Sequence, residues 1–244
     1  MTQKTKTIFM SSMGAILVIA LLLLSVRPTK TGPGNRYFQN QGNIFGTYYN
    51  IRYEASEDLH ERILERMQAF DASLSTFNTQ STIAKINQGT DTVLDPWFMA
   101  MYETASEISE RTEGAFDITV APLVNAWGFG FKNKDNVTDD TIASLKQVVG
   151  YKQLSVENRA DGPHLCFPNA GKGAVDASAI AKGYACDVVA DLLREEGCKN
   201  LLVDIGGEVV LEGVNPEGNP WRVGITKAID VSTGQQYEIL EIIA

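Results

Sequence analysis

The chain has 244 residues, enough for one large domain or two small ones, and its 44% hydrophobic and 21% charged content is that of a folded globular protein, not a disordered one. Net charge is −9, and residues 1–30 hold four of the 21 basic residues and none of the 30 acidic ones, so the remainder sets 17 basic against 30 acidic. An acidic body argues against non-specific nucleic-acid binding, while a local lysine and backbone amides still suffice for a phosphorylated ligand.

Residues 8–26 (IFMSSMGAILVIALLLLSV) carry no charge, a length that spans a hydrocarbon core as a helix. Lys4 and Lys6 precede the run, as in a signal sequence, and no clear small-x-small cleavage site follows it. An uncleaved signal anchor is therefore expected over residues 1–27, in preference to a cleaved signal. A Pro/Gly-rich linker follows over 28–42, and the folded body over 43–244.

In the body, residues 43–53 (NIFGTYYNIRY) alternate and read as a strand, with Gly46 and Thr47 marking a bulge or a close backbone approach. Leu59, Ile63, Met67 and Phe70 share a helical face over 57–70. Phe77 lies in a polar stretch, as either a core anchor under a loop or a platform for a flat ligand ring. Ser81 suits the cap of a short helix over 82–87, and Asp95-Pro96 opens a helix that Gly114 ends. Residues 115–131 are apolar with one carboxylate, Asp117, which must be paired or hydrogen-bonded. Their Trp-Gly-Phe-Gly tail suggests a loop lying close to a planar ligand. A short helix is expected over 139–149, strands at 154–156, 221–225 and 237–243, and a polar surface excursion over 158–172.

The stretch 174–213 organises the rest. Asp176 precedes small residues, Lys182 and Gly183. Val188, Val189, Leu192 and Leu193 then share a helical face, and Gly197 suits the left-handed residue that ends a helix. A buried strand over 201–204, the pair Gly206-Gly207 and a strand over 209–211 follow. A helix N-terminus with a lysine in its first turn attracts phosphate; the same residues also fit an ordinary helix on a sheet with a solvated lysine. The three cysteines, Cys166, Cys186 and Cys198, form no CxxC, and the histidines are only His60 and His164, which argues against a zinc site. All three are expected to be small buried residues, with a Cys186–Cys198 bridge open to an extracytoplasmic body.

Six blocks in order resemble the FAD:protein FMN transferases, the ApbE-like flavin transferases, over roughly residues 43–226. They are Gly46-Thr47-Tyr48-Tyr49, Leu74-Ser75-Thr76-Phe77 through Ile86-Asn87, Gly114-Ala115-Phe116-Asp117 through Val124, Trp127-Gly128-Phe129-Gly130, Val175-Asp176 with Ala179 through Ala185, and Asp204-Ile205-Gly206-Gly207-Glu208. The resemblance implies an α+β, T-fold-related architecture of mixed sheets with packed helices, after an N-terminal membrane-spanning helix. It implies an enzyme that cuts FAD and places FMN, through a phosphoester bond, on a Thr or Ser hydroxyl of a partner flavoprotein, with Mg²⁺ as cofactor. The partners include subunits of membrane redox complexes, and the body works on the outer face of the bacterial inner membrane.

Residue by residue, the resemblance puts FAD contacts at Phe45, where Met is more usual, and at Phe77, often Tyr elsewhere, against the adenine. Ala115, Phe116 and Asp117 would line the cofactor. Asp176 and Lys182 would contact its centre and act in catalysis, and the carbonyl of Ala179 would be one Mg²⁺ ligand. The family's later Thr-Ser-Gly-type and His-x-x-x-Pro-x-Thr-Gly-type blocks, and the Asp and Thr that complete the metal site, do not appear in this sequence. A truncated, frameshifted or partial member is therefore expected. A non-catalytic, membrane-anchored FAD-binding protein and an FAD pyrophosphatase remain alternatives.

Overall fold

The computed structural model describes residues 34–129, 137–227 and 239–243. By its contacts the chain divides after Arg36, and Tyr37–Ala244 forms one unit. No helix among the described residues is long and apolar enough to cross a membrane; the expected anchor over 8–26 lies outside them, as do Gly130 and Phe131 of the aromatic tail.

The central sheet has the order β1 (Arg36–Ile44), β2 (Thr47–Ala55), β5 (Leu201–Ile205), β6 (Glu208–Glu212). In β2 the period-two pattern buries Tyr49, Ile51, Tyr53 and Ala55 on one face. Leu201, Val203 and Ile205 of β5 join that face, with Tyr49 paired to Ile205 and Ile51 to Val203. Two helices cover it: α1 (His60–Leu74), through Ile63, Met67 and Phe70, and α6 (Ser178–Glu195), through Val188, Val189, Leu192 and Leu193. Tyr53, fully buried, fixes the entry to α1: its hydroxyl accepts from the Leu59 N–H at 2.7 Å and reaches Asp58 at 2.8 Å.

Between these elements lie α2 (Thr82–Asn87), α3 (Pro96–Arg111), α4 (Ala121–Ala126), α5 (Asp139–Lys146) and the hairpin of β3 (Ser155–Arg159) with β4 (Gly162–Cys166). The expected caps are present. Ser81 accepts from Ala84 N–H, Asp95 accepts from the N–H groups of Trp97 and Phe98, and Gly197 closes α6 at φ +81°. β7 (Val223–Thr226) pairs with β8 (Ile239–Ile243), whose five residues are all exposed.

Several expectations are corrected. Residues 36–42 of the expected linker belong to β1. The single strand expected over 43–53 is the close of one strand and most of another, joined by a two-residue turn at Phe45 and Gly46 with φ +54° and +73°; turns of that twist join antiparallel strands tightly. The polar excursion over 158–172 contains the turn and second strand of the β3–β4 hairpin. The sheets were expected to be mixed, but the pairings β2–β5, β3–β4, β5–β6 and β7–β8 are antiparallel. Among the described residues, the isolated bridges Val120–Ala174 and Ala170–Gly173 are parallel. All three thiols are free, and Cys166 is half-buried, not buried.

The β3–β4 hairpin is tied down by His164, which is 4% exposed. Its Nδ1 lies 2.7 Å from Asp91 and its Nε2 3.1 Å from Asp161. Neutral imidazole carries one N–H, so holding both carboxylates requires the imidazolium. The hydrogen bond to Asp91 accordingly raises the His164 pKa. A raised folded-state pKa gives stability that is complete below the unfolded value of about 6.5 and is lost as pH rises through the folded value. The difference in thermal midpoint between wild type and His164→Gln is therefore expected to shrink as pH rises from about 6 to about 9, read by circular dichroism; a constant difference would refute the assignment.

Candidate functional site

Two clefts adjoin at the start of α6. The smaller, about 210 Å³, is lined by Phe45, Phe70, Asp71, Ser75, Phe77, Ala181 and Lys182 among others. The larger, about 440 Å³, is lined by residues that include Phe77, Asn87, Ala115, Phe116, Asp117, Phe129, Asp176 and Ala179. Its volume lies within the roughly 300–1,000 Å³ usual for ligand pockets. All eight residues that the resemblance marked for FAD or metal line one cleft or the other, and Phe77 lines both.

Each arrives by a distinct local device. The β1–β2 turn holds Phe45 in the left-handed region, an uncommon place for an aromatic residue. Its ring meets the buried Phe70 edge-on at 5.8 Å. Trp97 and Tyr184 also meet Phe70 edge-on, at 5.9 and 5.3 Å, so Phe70 forms an aromatic floor beneath the smaller cleft. The loop after α1 is pinned by polar bonds: Ser81 Oγ donates to the Ser75 carbonyl at 2.6 Å, and Asn78 Nδ2 to Asp71 at 3.1 Å. Those bonds hold Phe77 out at 72% exposure, so it is not a core anchor. Across the larger cleft Phe129 is 86% exposed. Large apolar rings held in water at the rim of a cleft suit a planar ligand.

Asp117 is committed to the fold. Its Oδ1 accepts from Thr119 N–H at 2.8 Å and from Thr119 Oγ1 at 2.6 Å, and its Oδ2 from Tyr151 N–H at 2.8 Å. The buried-looking carboxylate is thus satisfied by a turn and by the segment after α5, and it lines the larger cleft through what remains exposed.

The segment 174–178 is clamped from two sides. Asn87 Oδ1 accepts from Val175 N–H at 2.7 Å while its Nδ2 donates to the Val175 carbonyl at 2.9 Å. On the other side Asp176 N–H donates to the Ile118 carbonyl at 2.7 Å. Asp176 Oδ1 accepts from Ser178 N–H at 2.8 Å, which leaves Oδ2 for the cleft. Sequence reasoning placed Asn87 in a block but missed this role; only its distant backbone partner reveals it.

Lys182 sits in the second turn of α6, because the helix begins at Ser178. Its Nζ donates to both carboxylate oxygens of Glu208, each at 2.8 Å. Among the described residues lining the two clefts it is the one cation, against Asp71, Asp117 and Asp176. For Mg²⁺ the donors are right in kind, since Asp176 and Ala179 line one cleft and a carboxylate and a backbone carbonyl are both hard oxygens. Among the described residues no three His, Cys, Asp or Glu side chains cluster. A Mg²⁺ ion here would complete its shell with water and phosphate oxygens.

This chain belongs to the ApbE family, whose model matches residues 45–244. It is 35% identical over 215 residues to the FAD:protein FMN transferase of Vibrio cholerae, covering 82% of this chain and 61% of that one. The FAD:protein FMN transferase of Escherichia coli K12 is 33% identical over 210 residues, with coverage of 80% and 58%. The chain thus spans about three fifths of the length of these curated relatives. The solved flavin transferase ApbE from Vibrio cholerae superposes with a TM-score of 0.74 at 32% identity, covering 85% of this chain and 68% of that one. The apo flavinyl transferase ApbE of Pseudomonas stutzeri gives 0.69 at 30% identity, with coverage of 79% and 62%.

Asn87→Ala leaves the Val175 N–H and carbonyl without partners. Urea denaturation is expected to show a loss of about 1–3 kcal/mol, and an unchanged midpoint would contradict the clamp.

Proposed function

We propose that this chain binds FAD across the two clefts and belongs to an enzyme that moves FMN from FAD to a Thr or Ser hydroxyl of an acceptor flavoprotein. The observation that carries the reading is the convergence of Phe45, Phe77, residues 115–117, Asp176, Ala179 and Lys182 on adjoining clefts from four separate stretches of chain. The curated relatives support it, being named FAD:protein FMN transferases.

In the reaction the acceptor oxygen attacks the FMN phosphorus, and the bond from that phosphorus to the bridging oxygen breaks. AMP leaves with the electron pair, and the hydroxyl proton passes to a base. Phosphoryl transfer of this type depends on position and charge neutralisation. Asp176 is the base or orienter, through the Oδ2 left open by the Ser178 bond. Lys182 places an ammonium at the diphosphate, and Phe77 stacks on the adenine. The Ala179 carbonyl would hold Mg²⁺, which supplies further positive charge at the diphosphate and the departing AMP. With three lining carboxylates against one paired ammonium, diphosphate binding is expected to depend on a divalent cation. The proposed acceptors are subunits of membrane redox complexes, and the proposed place is the outer face of the bacterial inner membrane, with residues 8–26 as the anchor.

Incubation with FAD, Mg²⁺ and a Thr-containing acceptor peptide is expected to release AMP and yield flavinylated peptide, read by mass spectrometry. FAD binding without AMP release would support the non-catalytic FAD-binding reading instead, and AMP with free FMN the pyrophosphatase. In a parallel titration Phe77→Ala is expected to weaken FAD binding by about 1–3 kcal/mol, the usual worth of a base stacked on an aromatic ring. Affinity unaffected by that change or by a chelator would count against the proposed site.

A further inference from the structure

The Asp204-Ile205-Gly206-Gly207-Glu208 block lines neither cleft and enters the site only through the Lys182–Glu208 pair, yet it is built with care. Gly206 and Gly207 take φ +61° and +96°, and the Asp204 carboxylate accepts from Gly207 N–H at 3.0 Å, closing the turn between β5 and β6. A Cβ on Gly206 would lie 2.9 Å from the Thr47 side chain, so the turn nests against the start of β2, one residue beyond the Phe45–Gly46 turn. The Cys186 thiol, buried and pushed up to about 12 by that burial, donates to the Glu208 carbonyl at 3.1 Å. Cys186 lies one helical turn after Lys182, so the same face of α6 grips Glu208 by backbone and side chain at once.

An ammonium has three N–H groups, and Glu208 takes two of those on Lys182, at 2.8 Å each. The two side chains are 38% and 41% exposed. Pairs that exposed add little to stability, which leaves orientation as the role that the built turn serves. A lysine stem is otherwise free to rotate through many conformers.

We propose that Glu208 is a positioning residue, which holds the Lys182 ammonium at the rim of the smaller cleft by two N–H groups and leaves the third for an oxygen of the ligand's diphosphate. This rests on the reading of the clefts as a dinucleotide site. Glu208 acts through Lys182 and touches no ligand itself. The competing role is charge alone, in which Glu208 merely repels an incoming anion.

Two measurements on the full chain with Mg²⁺ decide it. The first follows AMP release from FAD and FAD affinity for wild type, Glu208→Gln, Glu208→Ala, Lys182→Ala and the double variant Lys182→Ala/Glu208→Ala. Positioning predicts that Glu208→Gln, which keeps an acceptor oxygen, stays close to wild type, while Glu208→Ala loses turnover on the order of ten- to a hundredfold. The double variant should be no worse than Lys182→Ala, since residues acting as a unit are not additive. Equal behaviour of Glu208→Gln and Glu208→Ala, or losses that multiply in the double variant, overturns the proposal. The second measures acylation of each lysine by an amine-reactive reagent, read by mass spectrometry without nucleotide. Lys182 should react slowly in wild type and several times faster in Glu208→Ala, with other lysines unchanged; equal rates at Lys182 overturn the proposal. A wild type that ignores FAD defeats the reading of the clefts, and the acylation rates still decide the role of Glu208.

Discussion

The site depends on the clamp around Val175. One asparagine side chain from α2 reproduces a strand's pair of backbone bonds, 88 residues away in sequence. On the opposite side Asp176 N–H meets the Ile118 carbonyl. Segment 174–178 is thereby fixed between the end of α2 and the turn that carries Asp117. Because α6 begins two residues after Asp176, the clamp also sets where Ala179 and Lys182 emerge. Backbone groups buried without partners are costly, so this register has no cheap alternative.

Electrostatics then sets what the site can hold. The body is acidic, and among the described residues the clefts offer three carboxylates and one ammonium already shared with Glu208. Such a lining does not attract a diphosphate by net charge. The fit comes from exposed rings at the rim, oxygen donors for a hard cation, and one aimed lysine. In the proposed FAD complex, apolar stacking supplies affinity and charge supplies direction.

Much of this was legible in the sequence wherever the signal is local. Ser81, Asp95 and Gly197 mark helix ends because capping and left-handed closure act within a few residues. The alternation read over 43–53 and the stripe through α6 reveal the core by periodicity. Less legible was β1, whose polar residues hide a strand that is only partly buried. The turn at Phe45 and Gly46 was read as a bulge or a close backbone approach at Gly46 and Thr47, because a positive φ at an aromatic residue has no sequence signature. Asn87 and Glu208 acquire meaning only from partners 88 and 26 residues away. Asp117 was flagged as a carboxylate needing partners, but the partner at Tyr151 could not be named from spacing.

Hydrogen–deuterium exchange with and without FAD and Mg²⁺ tests the central claim most directly. Concerted protection of residues 75–81, 115–121 and 174–182 is the result this account predicts. Protection confined to other parts of the chain, or none at saturating FAD, would contradict it.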